Sequence, residues 1–419
     1  MSRRLLIIAY YFPPMGMSGV QRMAKLAKYL PENGWAPTVL TVEPGGYFAF
    51  DPSLLEEVKE ASIDVIRTKS LDPTQLFKSG ETVEIKQEQT RRRLSELSQW
   101  VFVPDNKVGW LPYAVRAAKR AALQTPFDAV LASAPPYTGL LVGKAVSKAL
   151  SIPLVTDFRD DWVGNPRHIY PTLAHRRLNE RLERSVLRHS AFSTTINTAI
   201  RDRLRRSVPG TDIRIFEQGY DPADILPSTA EANPRCTFTY TGVFYDAQTP
   251  DPFLRALHLA IRSEQVKPED VHAQFVGLFT AAGRALVREF GLEEVVEEVG
   301  YVPHRAVRQY LAEANVLWLT IGRRPGAHAI STGKLFEYMG TRKPILGLVP
   351  DGVAADALRH YGNAEVVPPD AVEDIADAIV RCVEAWRGKR LGLANDAAVA
   401  AYDRRERAKR MAQWLDDVV

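Results

Sequence analysis

Short apolar runs alternate with longer stretches of helical periodicity over most of the chain. Short apolar runs bounded by turn formers are typical of buried strands, whereas apolar positions three and four apart are typical of helices. In the first half, strands are predicted over 5–9, 38–42, 63–67, 129–132, 154–157 and 191–196. Helices are predicted over 20–33, 111–123, 139–150 and 174–189. This alternation predicts an α/β domain with a parallel sheet.

The second half repeats the same alternation. Strands are predicted over 237–241, 273–276, 316–320, 345–348 and 364–367, and helices over 252–262, 304–314, 334–340 and 372–386. Between the halves, residues 219–234 are rich in turn formers and have no periodicity, as expected of a linker. The sequence therefore predicts two α/β domains, residues 1–218 and 219–397.

Residues 71–110 interrupt the pattern with polar and basic sequence that contains Arg91, Arg92, Arg93, Trp100 and Trp110. One interpretation is a solvated helix packed on its own domain. The other is a basic, aromatic-tipped element that meets a membrane surface or a lipid-carried substrate. The sequence leaves both open.

Composition narrows the class of protein. Of the 419 residues, 46% are hydrophobic and 25% are charged, which is ordinary for a soluble globular chain. The net charge of +4 does not indicate nucleic acid as a partner, and two distant cysteines do not indicate a disulfide framework. An apolar run after two arginines ends at Pro13-Pro14, and no stretch has the length of a membrane span. We expect a cytoplasmic protein, with peripheral contact at the inner face of the membrane as an option.

The turn after the first predicted strand has the features of a phosphate-binding loop. Gly16 and Gly19 allow the backbone to approach a ligand, and Ser18 can cap the helix that follows. The free N–H groups of a helix N-terminus suit phosphate. The alternative is a plain tight turn. The full G-x-G-x-x-G is absent, which argues against a dinucleotide-dependent oxidoreductase.

Residues 328–348 are predicted to form a loop, a short helix and a strand. Lys334 lies in the first turn of that helix, where a cation opposes the helix dipole unless a bound diphosphate reverses the balance. Glu337 follows on the same face and can accept hydrogen bonds from both hydroxyls of a ribose. Alternatively, Glu337 only complements the dipole and Lys334 extends to water.

A charged cluster follows the predicted strand at 154–157. Asp157, Arg159, Asp160 and Asp161 lie at its carboxyl end, where open α/β sheets bind their ligands. These side chains either orient acceptor hydroxyls or form a structural ion-pair cluster.

Several common chemistries have no motif in the chain. There is no D-x-D, and the eight histidines lack the spacing of metal ligands, so we predict no catalytic metal and no cofactor. Neither G-x-S-x-G nor G-x-x-x-x-G-K-[ST] is present, which argues against the common hydrolases and P-loop proteins.

Taken in order, the motifs resemble those of retaining glycosyltransferases of family 4, which have the GT-B architecture. The resemblance covers nearly the whole chain and rests on Tyr11-Phe-Pro-Pro, Gly19-Val-Gln-Arg22, Asp157-Phe-Arg-Asp160, Tyr240-Thr-Gly242, Gly300-Tyr-Val-Pro303 and Gly333-Lys-Leu-Phe-Glu-Tyr338. It implies two Rossmann-like domains facing across a cleft, with the donor held mainly by the second and the acceptor mainly by the first. It also implies that residues 398–419 cross back to the first domain; the apolar spacing over 399–415 fits a one-sided amphipathic helix.

The resemblance also implies roles for particular residues. Glu337 would bind the donor ribose, the backbone around Tyr301 and Val302 would meet the base, Gly19 would lie beneath the diphosphate, and Asp160 would lie near the reacting sugar. The predicted catalytic residues are Asp160, Lys334 and Arg159. The predicted donor-binding residues are Gly16, Ser18, Gly19, Gly242, Tyr301, Val302, Arg323, Arg324, Thr332, Gly333, Lys334, Leu335 and Glu337. The predicted acceptor-binding residues are Asp157, Asp161 and Arg22.

Two departures from the family pattern concern the donor. The family pairs two glutamates eight positions apart, but Ala329 stands where the partner of Glu337 is expected. The basic pair that often follows the first strand of the second domain is also missing after Gly242. We therefore expect Lys334, with Arg323 or Arg324, to meet the diphosphate charge.

The predicted function is transfer of a hexosyl group from a UDP- or GDP-linked nucleoside diphosphate sugar to an acceptor hydroxyl, with retention of configuration and without a metal. The acceptor would be a glycan or a lipid-linked intermediate in cell-surface polysaccharide or glycolipid synthesis. One alternative is a nucleotide-sugar 2-epimerase of the same fold. Another is a non-catalytic nucleotide-sugar-binding module.

Overall fold

The computed structural model describes residues 2–16, 18–45, 50–72, 98–165, 168–244 and 248–419, without the side chain of Ser18. The chain divides into two compact units. The first contains Met1–Glu217 together with Arg404–Val419, and the second contains Gln218–Asp403.

A seven-stranded parallel sheet forms the centre of the first unit, in the order β3-β2-β1-β4-β5-β6-β7. Its strands are β1 (Arg3–Ile8), β2 (Trp35–Val42), β3 (Asp64–Thr68), β4 (Ala129–Ala134), β5 (Leu154–Phe158), β6 (Phe192–Thr195) and β7 (Ile213–Ile215). The chain builds outward in both directions from the β1–β4 pair, so the topological switch point lies there. Ligands of open α/β sheets bind at such a point, outside the carboxyl ends of the strands.

Helices connect these strands and bury their apolar faces on the sheet. They are α1 (Ser18–Tyr29), α2 (Pro52–Glu60), α3 (Leu111–Gln124), α4 (Thr138–Leu150), α5 (Leu173–Leu187) and α6 (Thr198–Ser207). The strands read as near-continuous apolar runs because helices cover the faces of the sheet. Leu131 of β4 and Val155 of β5, for example, are fully buried.

The second unit has a six-stranded sheet in the order β10-β9-β8-β11-β12-β13, with a switch point between β8 and β11. Its strands are β8 (Cys236–Val243), β9 (Val271–Leu278), β10 (Val296–Gly300), β11 (Val316–Thr320), β12 (Ile345–Leu348) and β13 (Ala364–Val367). Its helices are α7 (Asp251–Arg262), α8 (Ala281–Glu289), α9 (His304–Glu313), α10 (Gly333–Gly340), α11 (Val353–Tyr361), α12 (Val372–Arg387) and α13 (Asp396–Ala400).

The last helix, α14 (Arg404–Asp416), belongs to the first unit. Its buried side chains Ala408, Met411 and Leu415 join the apolar cluster beneath β1 and α1. Asp416 at its end accepts a hydrogen bond from the Trp35 indole N–H at 3.0 Å and pairs with Arg3 at 2.6 Å. The C-terminal segment therefore packs on the first unit, as the amphipathic spacing and the resemblance predicted.

The structure confirms the predicted fold class, and the strands over 316–320, 345–348 and 364–367 have the predicted bounds. Strands β7 and β10 and helices α2, α6, α8, α11 and α13 were not predicted from the sequence. Both strands lie at sheet edges, and β10 carries Glu297 and Glu298, so neither has an apolar run. Of the interrupting segment, Arg91, Arg92 and Arg93 lie outside the described residues. None of the described helices combines the length and apolar character needed to cross a membrane.

Candidate active site

Unsatisfied polar groups gather at the N-terminus of α10 in the second unit. Ser331 Oγ, Thr332 Oγ1, Lys334 Nζ and Glu337 Oε1 are all buried, and none has a hydrogen-bond partner among the described residues. Thr332 is the N-cap residue, yet its side chain accepts no bond from the first turn. Buried polar atoms are nearly always paired, because an unmade hydrogen bond costs about 1–3 kcal/mol. Of the six buried side-chain atoms without a partner among the described residues, four lie at this helix N-terminus, which makes it the candidate site for a polar ligand.

Lys334 is the cation of this site. Its Nζ lies 3.8 Å from the centroid of the Tyr240 ring. A side chain at position 242 would bring a Cβ to 3.2 Å from the same Nζ, and Gly242 has a φ of +110°, which favours glycine. Burial lowers the pKa of Lys334 to about 7, and the negative charge of Glu337 only partly opposes this effect. An anionic ligand would restore the charged form of the amine.

Tyr338 fixes α10 against β8. The Thr241 N–H donates to the Tyr338 hydroxyl at 2.7 Å, and the two hydroxyls lie 3.1 Å apart. Because Tyr338 is four residues after Lys334, both side chains leave the same face of the helix, toward the end of β8. At the other end, a Cβ on Gly340 would come within 2.4 Å of the Tyr220 ring, so only glycine allows this packing. The helix N-terminus is thus held at the carboxyl end of β8.

This position coincides with the switch point of the second sheet. β8 and β11 are neighbours there, and α10 follows the connection that leaves β11. Of the predicted donor residues, Gly242 lies at the end of β8, Thr332 is the N-cap of α10, and Gly333, Lys334, Leu335 and Glu337 lie in α10. The structure therefore brings this part of the predicted donor set together.

The remaining predicted donor residues of this unit lie differently. The Arg323 guanidinium pairs with Asp370 at 2.8 Å, and both side chains are more than half exposed, at 61% and 62%. Its side chain is therefore committed to a surface pair rather than to the buried groups of α10. Arg324 is half-buried. Tyr301, which is 44% exposed, and Val302 follow β10 at the far edge of the sheet, with β9 between that strand and β8.

In the first unit, Arg22 and Asp157 form a closed ion pair. Nε and Nη2 of Arg22 donate to the two carboxylate oxygens at 3.0 and 2.7 Å, and the pair is almost fully buried. Ser133 and Thr194 donate their hydroxyls to the same carboxylate at 2.9 and 2.8 Å. Burial by itself would raise the pKa of Asp157, but the charge and hydrogen bonds of Arg22 outweigh it and lower that pKa. These internal contacts favour the structural alternative for both residues over the predicted acceptor role.

Arg159 links three connections at the switch point of the first sheet. Its guanidinium donates to the backbone carbonyls of Ala134 at 3.2 Å and Pro135 at 2.6 Å, and also to that of Gly19. A Cβ on Gly19 would come to 2.5 Å from Nη1 of Arg159, so a side chain at position 19 would displace the guanidinium. All three guanidinium nitrogens of Arg159 donate to backbone, which are the contacts of a positioning residue. The catalytic role stays a prediction.

Asp161 also has a structural partner. Its carboxylate pairs with Arg203, which donates to both oxygens of the buried Glu183 at 2.7 Å. Burial raises the pKa of Asp161 despite the neighbouring Arg203. Asp161 therefore belongs to an Asp–Arg–Glu network, which favours the structural alternative over the predicted acceptor role.

Asp160 differs from its two neighbouring aspartates. It is half-buried, and no hydrogen bond or ion pair joins its carboxylate to another described residue. Its charge acts on His168 and on Tyr137, whose ring stacks on Trp162 at 4.9 Å. Burial lowers the pKa of His168, so this imidazole favours the neutral form. Neither His168 nor Tyr137 was predicted from the sequence, because a single histidine and a single tyrosine carry no spacing signal.

The predicted loop residues of this unit lie at the same edge. Gly16 is buried after Met15, which pairs with Phe50 in an antiparallel bridge, and Gly19 lies in the first turn of α1. The side chain of Ser18 is outside the described residues.

Two family models match the chain in tandem. A glycosyl transferase 4-like domain matches residues 18–219, and a glycosyl transferases group 1 domain matches residues 235–385. Among curated proteins, no significant match is found.

Solved structures resemble the whole chain. HepE from Anabaena, in complex with UDP and glucose, aligns with a TM-score of 0.64 and 16% identity, over 99% of this chain and 100% of that chain. Sucrose-phosphate synthase from Thermosynechococcus elongatus has a TM-score of 0.65 and 15% identity, over 99% and 98%. A putative UDP-N-acetylglucosamine 2-epimerase from Listeria monocytogenes has a TM-score of 0.59 and 13% identity, over 100% and 96%.

At these identities the solved structures establish the GT-B fold, and the family matches establish the class. The chain belongs to the glycosyltransferases, with a glycosyl transferase 4-like domain followed by a glycosyl transferases group 1 domain.

Proposed function

We propose that this glycosyltransferase moves a hexosyl group from a UDP- or GDP-linked sugar to an acceptor hydroxyl, with retention of configuration. The observation that carries the proposal is the set of four buried, unpaired polar groups at the N-terminus of α10. Their chemistry matches a nucleoside diphosphate: donors for phosphate oxygens and a carboxylate for ribose hydroxyls.

Each group has a proposed role in donor binding. The hydroxyls of Ser331 and Thr332 and the free N–H groups of the first turn donate to the diphosphate. Lys334 supplies the positive charge. Glu337 accepts from the ribose. UDP as the nucleotide is supported by the solved structure of HepE, which holds UDP and glucose.

The proposed reaction needs little from the protein beyond charge and position. The bond between the anomeric carbon and the diphosphate oxygen breaks while the acceptor oxygen bonds to the same face of that carbon. The departing phosphate oxygen takes the acceptor proton. Lys334 and the α10 N-terminus stabilise the negative charge that develops on the diphosphate, a role normally worth about 2.7–4 kcal/mol per donor.

In this proposal the first unit binds the acceptor, and Asp160 is its functional carboxylate. The support is the contrast among the aspartates after β5: Asp157 and Asp161 are paired, and Asp160 has no described partner. An unpaired carboxylate at the carboxyl end of a strand is placed to accept a hydrogen bond from a sugar hydroxyl.

The first test is thermal melting of the full chain against a panel of nucleoside diphosphates and their sugars. A ligand at about 100 times its Kd stabilises by about 2.7 kcal/mol. We expect a selective shift that is lost in Glu337→Gln. The control is Glu373→Gln, which changes an exposed carboxylate in the first turn of α12. A shift retained in Glu337→Gln contradicts the ribose role, and no shift with any nucleotide contradicts the donor site.

Product analysis separates the alternatives. Isomerisation of the donor sugar without an acceptor would indicate a 2-epimerase. Tight donor binding without turnover across glycan and lipid acceptors would indicate a binding module.

A further inference from the structure

The three residues that follow Asp160 are each bound by a side chain from α5 or α6 of the first unit. The contacts, in chain order, are those of Arg203 with the Asp161 carboxylate, of Asn179 with the indole N–H of Trp162, which it accepts at 3.0 Å, and of Glu183 with the N–H of Val163, which it accepts at 3.2 Å. Trp162 and Glu183 are both buried. These contacts hold the 161–163 segment against the two helices.

Arg203 links two of these contacts. Its Nη1 and Nη2 atoms each donate to one carboxylate oxygen of Glu183 at 2.7 Å, and Nη2 also pairs with the Asp161 carboxylate. The donors of a guanidinium form a rigid planar fork, so one arginine can serve two carboxylates at once, whereas a lysine ammonium is a single point charge. Because Glu183 also accepts from Val163, each member of the Arg203–Glu183 pair binds the 161–163 segment directly.

Asp160 itself lies between two neighbours that are held in place. Before it, the Arg159 guanidinium donates to three backbone carbonyls, and after it the Tyr137 hydroxyl donates to the Asp161 carbonyl oxygen at 2.5 Å. The Asp160 carboxylate has no hydrogen bond or ion pair with another described residue. Its position is therefore set by the backbone on either side and by its own side-chain rotamers.

We propose that the Arg203–Glu183 pair is a positioning device for Asp160. By holding the 161–163 segment, the pair directs the Asp160 carboxylate toward the acceptor hydroxyl, and this inference rests on the acceptor role proposed for Asp160. An ion pair with a purely structural role would need only to join α5 to α6, whereas both members of this pair also bind the segment that follows Asp160. Displacement of a reacting group by about 1 Å can lower a rate about 100-fold, so a looser segment should lower kcat.

Arg203→Lys tests this role in the full chain. A lysine keeps a positive charge beside the buried Glu183 but cannot bind both carboxylates, so the 161–163 segment should loosen while the fold is kept. The assay is release of UDP from UDP-glucose with water as the acceptor. We expect kcat to fall between about 10- and 100-fold, with the KM for the donor unchanged because the donor is proposed to bind at α10. The control is Arg201→Lys, which changes an arginine of the same helix that pairs with Asp202 and is similarly exposed, at 28% against 22%, and it should keep the original kcat.

A double-mutant cycle with Asp160→Asn separates positioning from a general loss of structure. If Arg203 acts through Asp160, Arg203→Lys should lower kcat by less than about twofold in the Asp160→Asn chain. An equal loss in both backgrounds, or an unchanged kcat in Arg203→Lys alone, overturns the proposal. An unchanged kcat in Asp160→Asn alone contradicts the acceptor role of Asp160 and therefore this inference as well.

Hydrogen exchange of the empty protein gives a readout that needs no substrate. Arg203→Lys should speed the exchange of the amides over 161–163 at least about tenfold, and Arg201→Lys should not. Unchanged exchange in Arg203→Lys overturns the proposal. Failure of the original chain to release UDP from UDP-glucose contradicts the proposed donor instead, and the exchange rates then decide whether the pair holds the segment.

A second variant applies if Arg203→Lys does not fold. Asp161→Ala releases the same segment but leaves the Arg203–Glu183 pair intact. It should give the same loss of kcat and the same dependence on Asp160, and an unchanged kcat would overturn the proposal.

Discussion

Lys334 should take up a proton when the donor binds. In the empty site its pKa is about 7 because of burial. At pH 8 about nine in ten molecules would then hold the neutral amine. A diphosphate beside Nζ favours the ammonium and raises this pKa, so binding at pH 8 should be accompanied by uptake of about 0.9 proton. At pH 6 the amine is already charged, and the uptake should fall to about 0.1 proton.

The affinity for the donor should depend on pH for the same reason. Because the bound form holds the proton more tightly, the association constant for a UDP-sugar is constant below pH 7. It then falls about tenfold per pH unit between pH 7 and the higher pKa of the complex. A nucleotide sugar is the better probe than free UDP, since its diphosphate carries no terminal phosphate that titrates near neutrality.

Isothermal titration calorimetry at pH 8 in phosphate and in Tris measures the uptake directly, because the two buffers differ in ionisation enthalpy. The matched variant is Lys334→Arg, whose guanidinium stays protonated throughout this range. The binding enthalpy of this variant should be the same in both buffers, whatever its affinity for the donor. Full binding by the original chain with no proton uptake at pH 8 would refute the combination of a low pKa in the empty site and a contact between Lys334 and the diphosphate.

Three further predictions concern single residues. Lys334→Met should raise the melting temperature of the empty protein at pH 6, because the original folded chain must bury a charged amine there. This gain in melting temperature should shrink as the pH rises above 7, where the native amine is neutral. The variant should also lose the donor-induced shift in melting temperature. Gly19→Ala places a Cβ at 2.5 Å from the Arg159 guanidinium, which should lower stability by about 1–3 kcal/mol in chemical denaturation; an unchanged midpoint would show that the arginine moves aside freely. Asp157→Asn leaves a buried arginine unpaired and should lower the free energy of unfolding by about 3–5 kcal/mol. Asp160→Asn should leave that free energy within about 0.5 kcal/mol and lower kcat at least about 100-fold. The reverse pattern would exchange the roles of the two aspartates.

Sequence patterning predicts most of this fold because both sheets are parallel and covered by helices. A strand buried on both faces, such as β11, must be continuously apolar, and its bounds could be predicted from the residues alone. The edge strand β10 could not be predicted in this way, because its exposed Glu297 and Glu298 interrupt the apolar pattern.

The candidate site was predictable where local geometry decides the function. Spacing alone places Lys334 and Glu337 on one helix face, and this could be predicted. Their burial could not, because a lysine in the first turn of a helix can also extend to water. Ion pairs between residues that are distant in the sequence could not be predicted. Nothing near Asp157 in the sequence indicates that Arg22, which is distant along the chain, closes its carboxylate, or that Asp370 binds Arg323.

The charged residues after β5 and those at the N-terminus of α10 differ in their pairing. The difference supports α10 as the candidate site for a charged ligand. After β5, the buried charges form ion pairs inside the protein: Arg22 pairs with Asp157, and Arg203 with Glu183. Of these groups, only Nε of Arg203 has no hydrogen-bond partner among the described residues. At α10, by contrast, a buried amine and a buried carboxylate remain without hydrogen bonds to the described residues. Unmade bonds of this kind lower stability, and they are tolerated where a ligand completes them. This contrast supports our proposal that the donor diphosphate binds at the N-terminus of α10 and that Asp160 is the carboxylate available to the acceptor.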